Sequence, residues 1–136
     1  MGTWGTGPFD SDLAADFVDG LAGMSAAQVV EAMTRAVVKV AEAGSRVDGG
    51  DGAEAVAAAA LLASRIPGSQ VVIGPDDGPS RPLPDIPLSL RPVAVRALRR
   101  VLRDGSELAV GWVDGADAEE WRATIRRIIR VLDATP

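Results

Sequence analysis

The sequence predicts an all-α protein, folded as a single compact bundle of about six helices. Ala occupies 23 of the 136 positions and only five residues are aromatic, a composition that favours closely packed helices over a sheet. Apolar residues also recur at helical spacing in several segments that Gly, Pro and Asp separate. The length fits one domain over residues 1–136, because autonomous domains cluster at roughly 100–150 residues.

The Gly-rich N-terminus is predicted to form a plug that precedes the first helix. Its aromatic side chains are expected to insert into the bundle, its glycines to permit backbone angles closed to other residues, and a carboxylate to cap the helix. An alternative is that exposed Gly amides at this helix terminus bind an anion. The residues of this structural motif are Trp4, Gly5, Gly7, Phe9, Asp10 and Asp12.

Six helices follow from the apolar periodicity and from the capping and breaking residues. The first is built on Leu13, Phe17 and Leu21, Ser25 is expected to cap the second, and Asp51 is expected to cap the third. Two of the helices are predicted to have an apolar stripe along one face, formed in the second helix by Val29, Met33, Val37 and Val40, and in the last helix by Trp121, Ile125, Ile128 and Leu132. In chain order, the predicted helices cover about residues 11–22, 26–43, 52–66, 90–103, 106–112 and 118–132.

Two segments have distinctive roles in this bundle. The third helix has no polar residue between Ala55 and Ala63, which predicts a course through the centre of the domain. Residues 67–88 hold six of the nine prolines and form a long proline-rich connection that is not helical. We expect this connection to wrap along the surface, with buried apolar anchors at Leu83, Ile86 and Leu88.

The composition restricts the available chemistry. The chain contains no Cys, His or Tyr, so disulfides, imidazole or thiolate metal sites and His-based nucleophile pairs are excluded. Asp12, Asp16 and Asp19 form a carboxylate stripe, but one helix supplies ligands from one side only, so we expect no metal. No cofactor is predicted.

The net charge of −5 is unevenly distributed. Residues 1–54 carry nine acids and three bases, whereas residues 55–136 carry ten acids and eleven bases. Binding to nucleic acid is disfavoured by this balance. Arginines share one face of the fourth helix and one face of the last, and these faces either bind an acidic partner or are simply solvated. The candidate binding residues are Arg96, Arg99, Arg100, Arg103, Arg122, Arg126 and Arg130.

Two function classes remain. The first is a non-enzymatic protein-binding module of the immunity or partner-neutralising type, since a small acidic protein can mask a partner by electrostatic complementarity. The second is a small-ligand-binding protein or enzyme that uses carboxylates of the N-terminal helix, such as Asp12 with Asp16, or Lys39 with Glu42 or Glu31. The sequence does not determine the partner or the oligomeric state.

The expected location is the cytoplasm. The N-terminus has neither the basic region nor the apolar core of a secretory signal. The longest apolar run, Ala55 to Ala63, is far shorter than the roughly 18 residues of a membrane span. Thirteen of the fourteen bases are Arg, which together with the Ala content indicates a GC-rich, bacterial genome.

Both ends of the sequence resemble a known family. The segment from Gly2 to Asp12, followed by Ala14, Ala15, Asp16 and Phe17, is similar to the WGxGxFxxDxAxD signature that opens the bacterial domain of unknown function 4259 family. Later residues resemble the C-terminal pattern of the same family: Ser106, Glu107, Leu108, Trp112, Glu120, Trp121 and Arg122. The resemblance implies a small, mainly helical cytoplasmic protein, and it implies no activity.

Overall fold

Five α-helices make up most of the structure. The computed structural model describes residues 7–9, 12–43, 47–66, 84–102 and 115–133. Within these residues the all-α prediction is confirmed, with no strand present. The predicted helix over 106–112 and residues 67–83 of the proline-rich connection lie outside the described residues. The helices are α1 Asp12–Leu21, α2 Ala26–Ala41, α3 Gly49–Ser64, α4 Leu90–Leu102 and α5 Gly115–Asp133.

Helix α3 runs through the centre of the bundle, as predicted. It contacts α1, α2, α4 and α5, and every residue from Ala55 to Ala63 is buried. The small Ala side chains let the neighbouring helix backbones approach closely, because little more than a methyl group separates the chains. The other four helices each pack against the apolar surface of α3.

The first turn of α3 begins earlier than predicted. Asp48 is the N-cap, and its Oδ2 accepts hydrogen bonds from the backbone N–H groups of Gly50 at 2.9 Å and Asp51 at 3.1 Å. The prediction that Asp51 caps this helix is wrong. Asp51 instead lies inside the first turn, where its carboxylate is 3.5 Å from Lys39 Nζ.

Helix α1 packs in part as predicted, because Leu21 is buried and Phe17 is partly buried against the core. Ala14, Val18 and Leu21 are buried in the core, whereas Leu13 is 50% exposed. A Cβ atom added to Gly50 would come within 3.1 Å of Leu13 Cδ1, so the Leu13 side chain lies over the first turn of α3. Only the prediction for Leu13 is therefore wrong, and Ala14 and Val18 complete the buried face of α1.

Helix α2 is capped and packed as its sequence indicates. Ser25 Oγ accepts from the Gln28 N–H at 3.2 Å, while Gln28 Oε1 accepts from the Ser25 N–H at 2.9 Å, which forms a capping box. The predicted apolar stripe is confirmed, since its members are all buried: Val29, Met33, Val37 and Val40.

The approach to α4 differs from the prediction at one anchor. Ile86 packs against the core as expected, but Leu88 is 76% exposed, so its prediction as a buried anchor is wrong. Backbone bonds from Leu90 N to the Pro87 carbonyl at 3.0 Å, and from Arg91 N to the Leu88 carbonyl at 3.1 Å, form a tight turn there. Leu83 lies outside the described residues.

Helix α5 starts at Gly115, three residues before the predicted start. Asp117 lies in its first turn, where an acidic side chain interacts favourably with the helix dipole. The predicted buried face of α5 is confirmed, because its apolar members are all buried in the core: Trp121, Ile125, Ile128 and Leu132.

Part of the N-terminal motif falls within the described residues. Phe9 is buried in the hydrophobic core, Gly7 is half-buried and Asp12 begins α1. The other motif residues lie outside the described residues, namely Trp4, Gly5 and Asp10. The N-terminal plug therefore stays a prediction.

Candidate functional site

The outer face of α4 is cationic. The helix contains four arginines and no acidic residue. Arg96 and Arg99 are exposed and Arg100 is half-buried, while Arg103 lies outside the described residues. The opposite face buries Leu98 and Val101 completely, so burial of that face turns Arg96 and Arg99 towards solvent.

The outer face of α5 is cationic only in its second half. Arg126 and Arg130 are exposed and lie one turn apart. Arg122 is half-buried, and its Nη1 is 3.6 Å from Glu119 Oε1. Three of the four acids of the helix lie in its first two turns and the arginines follow, an arrangement that suits the helix dipole, whereas the fourth acid, Asp133, ends the helix.

The two helices meet at the C-terminal end of α5. Arg91 Nε donates to the Leu132 carbonyl at 3.3 Å, and Arg99 Nη2 is 3.5 Å from Asp133 Oδ2. These contacts bring the arginine face of α4 beside the last turn of α5, which also carries Arg130. Arg122 lies eight residues before Arg130, or about 12 Å along the helix axis at 1.5 Å per residue. The contacts therefore place the arginine face of α4 beside the end of α5 that carries Arg130.

Several of these guanidinium groups have no partner. Within the part of the chain that the structure describes, Arg96, Arg126 and Arg130 make no ion pair or side-chain hydrogen bond. Arg127 shares this property and is exposed, although the predicted stripe omitted it. Its position next to Arg126 was the available signal, because a residue 100° away on a helix still borders the same surface. We refer to Arg96, Arg126, Arg127 and Arg130 as the unpaired arginine surface.

A groove runs beside this surface along α4. Its volume is about 310 Å³. Apolar side chains of α4 form part of its lining, and charged groups from α4 and α5 complete it. The lining residues are Pro92, Val93, Val95, Arg96, Arg99 and Asp133. Pro92 and Asp133 were not predicted as site residues, and only the packing of α5 on α4 brings the Asp133 carboxylate to this groove.

The carboxylates of the alternative site are described only in part. Lys39 was a candidate to act with Glu42 or Glu31, and in the structure Lys39 contacts Asp51 while Glu31 pairs with Arg35. Asp16 is exposed on the surface of α1, and of Asp12 only the backbone is described. No group of three or more acidic side chains in the described segments is arranged to hold a metal ion.

A second, smaller cavity lies between α1, α2 and α3. Its volume is about 130 Å³, below the roughly 300–1,000 Å³ of typical ligand pockets. Two of the side chains that line it, Arg35 and Lys39, already form ion pairs with Glu31 and Asp51. This cavity is therefore a weak candidate for small-molecule binding.

Comparison with known proteins identifies a family. The family model described as a domain of unknown function (DUF4259) matches residues 2–124, which confirms the resemblance predicted from the sequence. No curated protein and no solved structure matches the chain. Among the described residues, no helix has the length and apolar character needed to cross a membrane.

Proposed function

We propose that this chain, which belongs to the domain of unknown function 4259 family, is a protein-binding module of the immunity or partner-neutralising type. In this proposal the unpaired arginine surface binds an acidic patch on a partner protein. The observation that carries the proposal is that Arg96, Arg126 and Arg130 are exposed and have no partner within the described residues. Such groups are available to a partner without the loss of an internal ion pair.

The exposed arginines contribute little to the stability of the fold and are better suited to recognition of a partner. An exposed ion pair contributes roughly 0–1 kcal/mol, so unpaired arginines cost the folded chain little. Several of them on adjoining helix faces raise the rate of encounter with an oppositely charged surface. Arginine also forms bidentate hydrogen bonds with carboxylates, which adds directional specificity.

The overall charge narrows the class of partner. The chain has a net charge of −5, so a long polyanion such as nucleic acid experiences repulsion from the molecule as a whole. A protein with a confined acidic patch experiences mainly the local arginine surface, because salt screens charges beyond about 8–10 Å. The proposal therefore names an acidic protein patch as the ligand.

The proposal includes a bacterial, cytoplasmic setting. The preference for Arg over Lys supports the bacterial source, and the absence of Cys is compatible with a reducing compartment. In that setting the chain would act by occupying a partner surface.

The test compares charge reversals with the same change in net charge. Arg96→Glu with Arg126→Glu reverses two unpaired groups, whereas Arg35→Glu with Lys39→Glu reverses two groups of α2 that are already paired. Each variant is immobilised and used to capture proteins from host lysate at low and at physiological salt. We expect acidic proteins bound by the parent chain to be lost with the first variant and retained with the second.

Equal capture by both variants would contradict the proposal, as would a parent chain that retains no acidic protein. Circular dichroism of each variant is needed beside the capture experiment, because a loss of binding is informative only if the helices remain folded. A conservative Arg96→Lys with Arg126→Lys variant keeps the charge, and it should retain capture with reduced strength because Lys lacks the bidentate geometry.

A further inference from the structure

An exposed apolar side chain continues the outer face of α4 towards its N-terminus. Leu88 and Leu13 are the large hydrophobic side chains that are exposed in the described segments. Leu88 precedes α4 in the turn that begins the helix, and Pro92 is exposed one turn later. Leu88, Pro92 and Arg96 therefore succeed one another at intervals of four residues.

This succession forms a surface with two chemical parts. The first part is apolar and consists of Leu88 and Pro92, whereas the second is cationic and consists of Arg96 and Arg99. The groove of about 310 Å³ begins at Pro92 and extends to Arg99 and Asp133. A single exposed Leu is ordinary on a protein surface, and Leu88 does not itself line the groove. It precedes Pro92 by four residues, so a ligand that extends from the groove towards the start of α4 would reach both Leu88 and the unpaired Arg96.

We propose that the outer face of α4 binds an acidic amphipathic helix of the partner protein. An apolar side chain of that helix would pack on Leu88 and Pro92, and carboxylates one and two turns along would contact Arg96 and Arg99. Within α4, the intervals from Pro92 to Arg96 and Arg99 match the i, i+4 and i+7 spacing by which a helix presents one face to a groove. Leu88 lies in the turn that leads into the helix, four residues before Pro92. This inference rests on the proposed function and specifies the partner chemistry.

Charge complementarity supports an acidic helix as the occupant. Helix α4 has four arginines and no acid. Within the described residues Arg96 has no partner, and Asp133 neutralises part of the charge of Arg99. An anionic membrane is a poorer match, since the chain as a whole is acidic and one Leu side chain gives little insertion into lipid. A second copy of the chain is the remaining candidate, through its acidic N-terminal half.

The test uses a defined probe. A fluorescein-labelled helical peptide of about 15 residues carries Glu on its polar face and Leu on its apolar face, and a matched peptide has Ser in place of Leu. Binding to the full chain is measured by fluorescence anisotropy at low salt. We expect the Leu peptide to bind, the Ser peptide to bind about tenfold more weakly, and Arg96→Glu to weaken binding of both peptides.

The decisive variant is Leu88→Ser, with Leu13→Ser as its matched control. Both replace an exposed Leu, so both proteins should remain folded, as verified by their melting temperatures. We expect Leu88→Ser to weaken binding of the Leu peptide about tenfold and to leave binding of the Ser peptide unchanged. Leu13→Ser should change neither, because Leu13 lies on α1 over the first turn of α3.

Other outcomes overturn the inference in distinguishable ways. If Leu88→Ser and Leu13→Ser bind the Leu peptide equally, or if that peptide does not bind, α4 does not recognise an amphipathic helix. The proposed function survives that result if the double arginine reversal still abolishes capture from lysate. Tighter Leu88-dependent binding to phosphatidylcholine–phosphatidylserine vesicles would identify a membrane surface, and a Leu88-dependent change in sedimentation would identify a second copy.

Discussion

Helices α3 and α4 have similar lengths and both pack in the same core, but they use their surfaces in opposite ways. Helix α3 contacts four other helices and is buried on every side from Ala55 to Ala63. Helix α4 buries one face and exposes Arg96 and Arg99 on the other. The comparison shows that the close packing around α3 restricts the size of its side chains. On the outer face of α4, by contrast, the charge of the arginines determines which molecules that face attracts.

A substitution therefore has different effects on the two helices. A larger side chain on α3 cannot turn towards solvent, since the neighbouring backbones are close on every side. A change in charge on the outer face of α4 meets solvent and leaves the core intact. The two helices thus separate the residues that hold the fold from the residues available for recognition.

The largest effect is expected on the buried face of α4. Leu98 is fully buried, and Leu98→Ala removes apolar contacts and leaves a cavity that the packed helices fill only in part. We expect a loss of about 3 kcal/mol in the free energy of unfolding, measured by urea denaturation. A loss below about 1 kcal/mol would mean that the two faces of α4 differ less than their burial indicates.

Overpacking at the centre of α3 should cost somewhat less. Ala60 is fully buried, and Ala60→Leu adds three carbon atoms where the helix backbones approach closely. We expect a loss of about 2 kcal/mol in the free energy of unfolding. Ala123→Leu on the exposed face of α5 is the control, and its unfolding midpoint should not decrease. Equal midpoints for the two variants would show that α3 has free space around it.

The start of α3 gives a third test. Asp48→Ala removes the carboxylate that accepts from the Gly50 and Asp51 N–H groups, so we expect a loss of about 1 kcal/mol. Asp51→Ala removes an exposed ion pair with Lys39 and should cost less. Thermal unfolding of the two variants distinguishes them, and a larger loss at Asp51 would place the cap where the sequence first suggested it.

The smallest effect on stability is expected on the outer faces. Arg96→Glu with Arg126→Glu changes two exposed groups that have no partner in the described segments, and we expect the free energy of unfolding to change by less than about 0.5 kcal/mol. Arg99→Glu should be slightly more destabilising, because it places a second acid beside Asp133. A double variant that unfolds would mean that these arginines support the fold.

Local sequence signals predicted the elements with strong periodicity. The stripe from Val29 to Val40 and the face from Trp121 to Leu132 are buried as expected, because large apolar residues at helical spacing leave one way to pack. The apolar run of α3 likewise predicted its central position. In these segments local pattern and tertiary packing agree.

The residues whose roles were predicted wrongly owe those roles to tertiary contacts, which local sequence does not reveal. Asp48 and Asp51 are both followed by Gly and are equally suitable as caps, so local sequence alone did not distinguish them. Leu13 was predicted from its helical spacing with Phe17 and Leu21, although the smaller Ala14 is the residue that packs in the core. At the candidate site the individual arginines were predictable, but the groove was not, since Asp133 reaches it only through packing between distant segments.

The alanine content of α3 also affects the entropy of folding. Burial of a Leu or Met side chain restricts its rotamers at a cost of roughly 0.5–2 kcal/mol, whereas an Ala side chain has no rotamers to lose. When the centre of the bundle, from Ala57 to Ala60, becomes ordered, it therefore loses backbone conformational entropy but no side-chain entropy. Ala also has the highest intrinsic helix propensity, so this segment is the most favourable place for an early helical turn to persist while the outer helices collapse onto it.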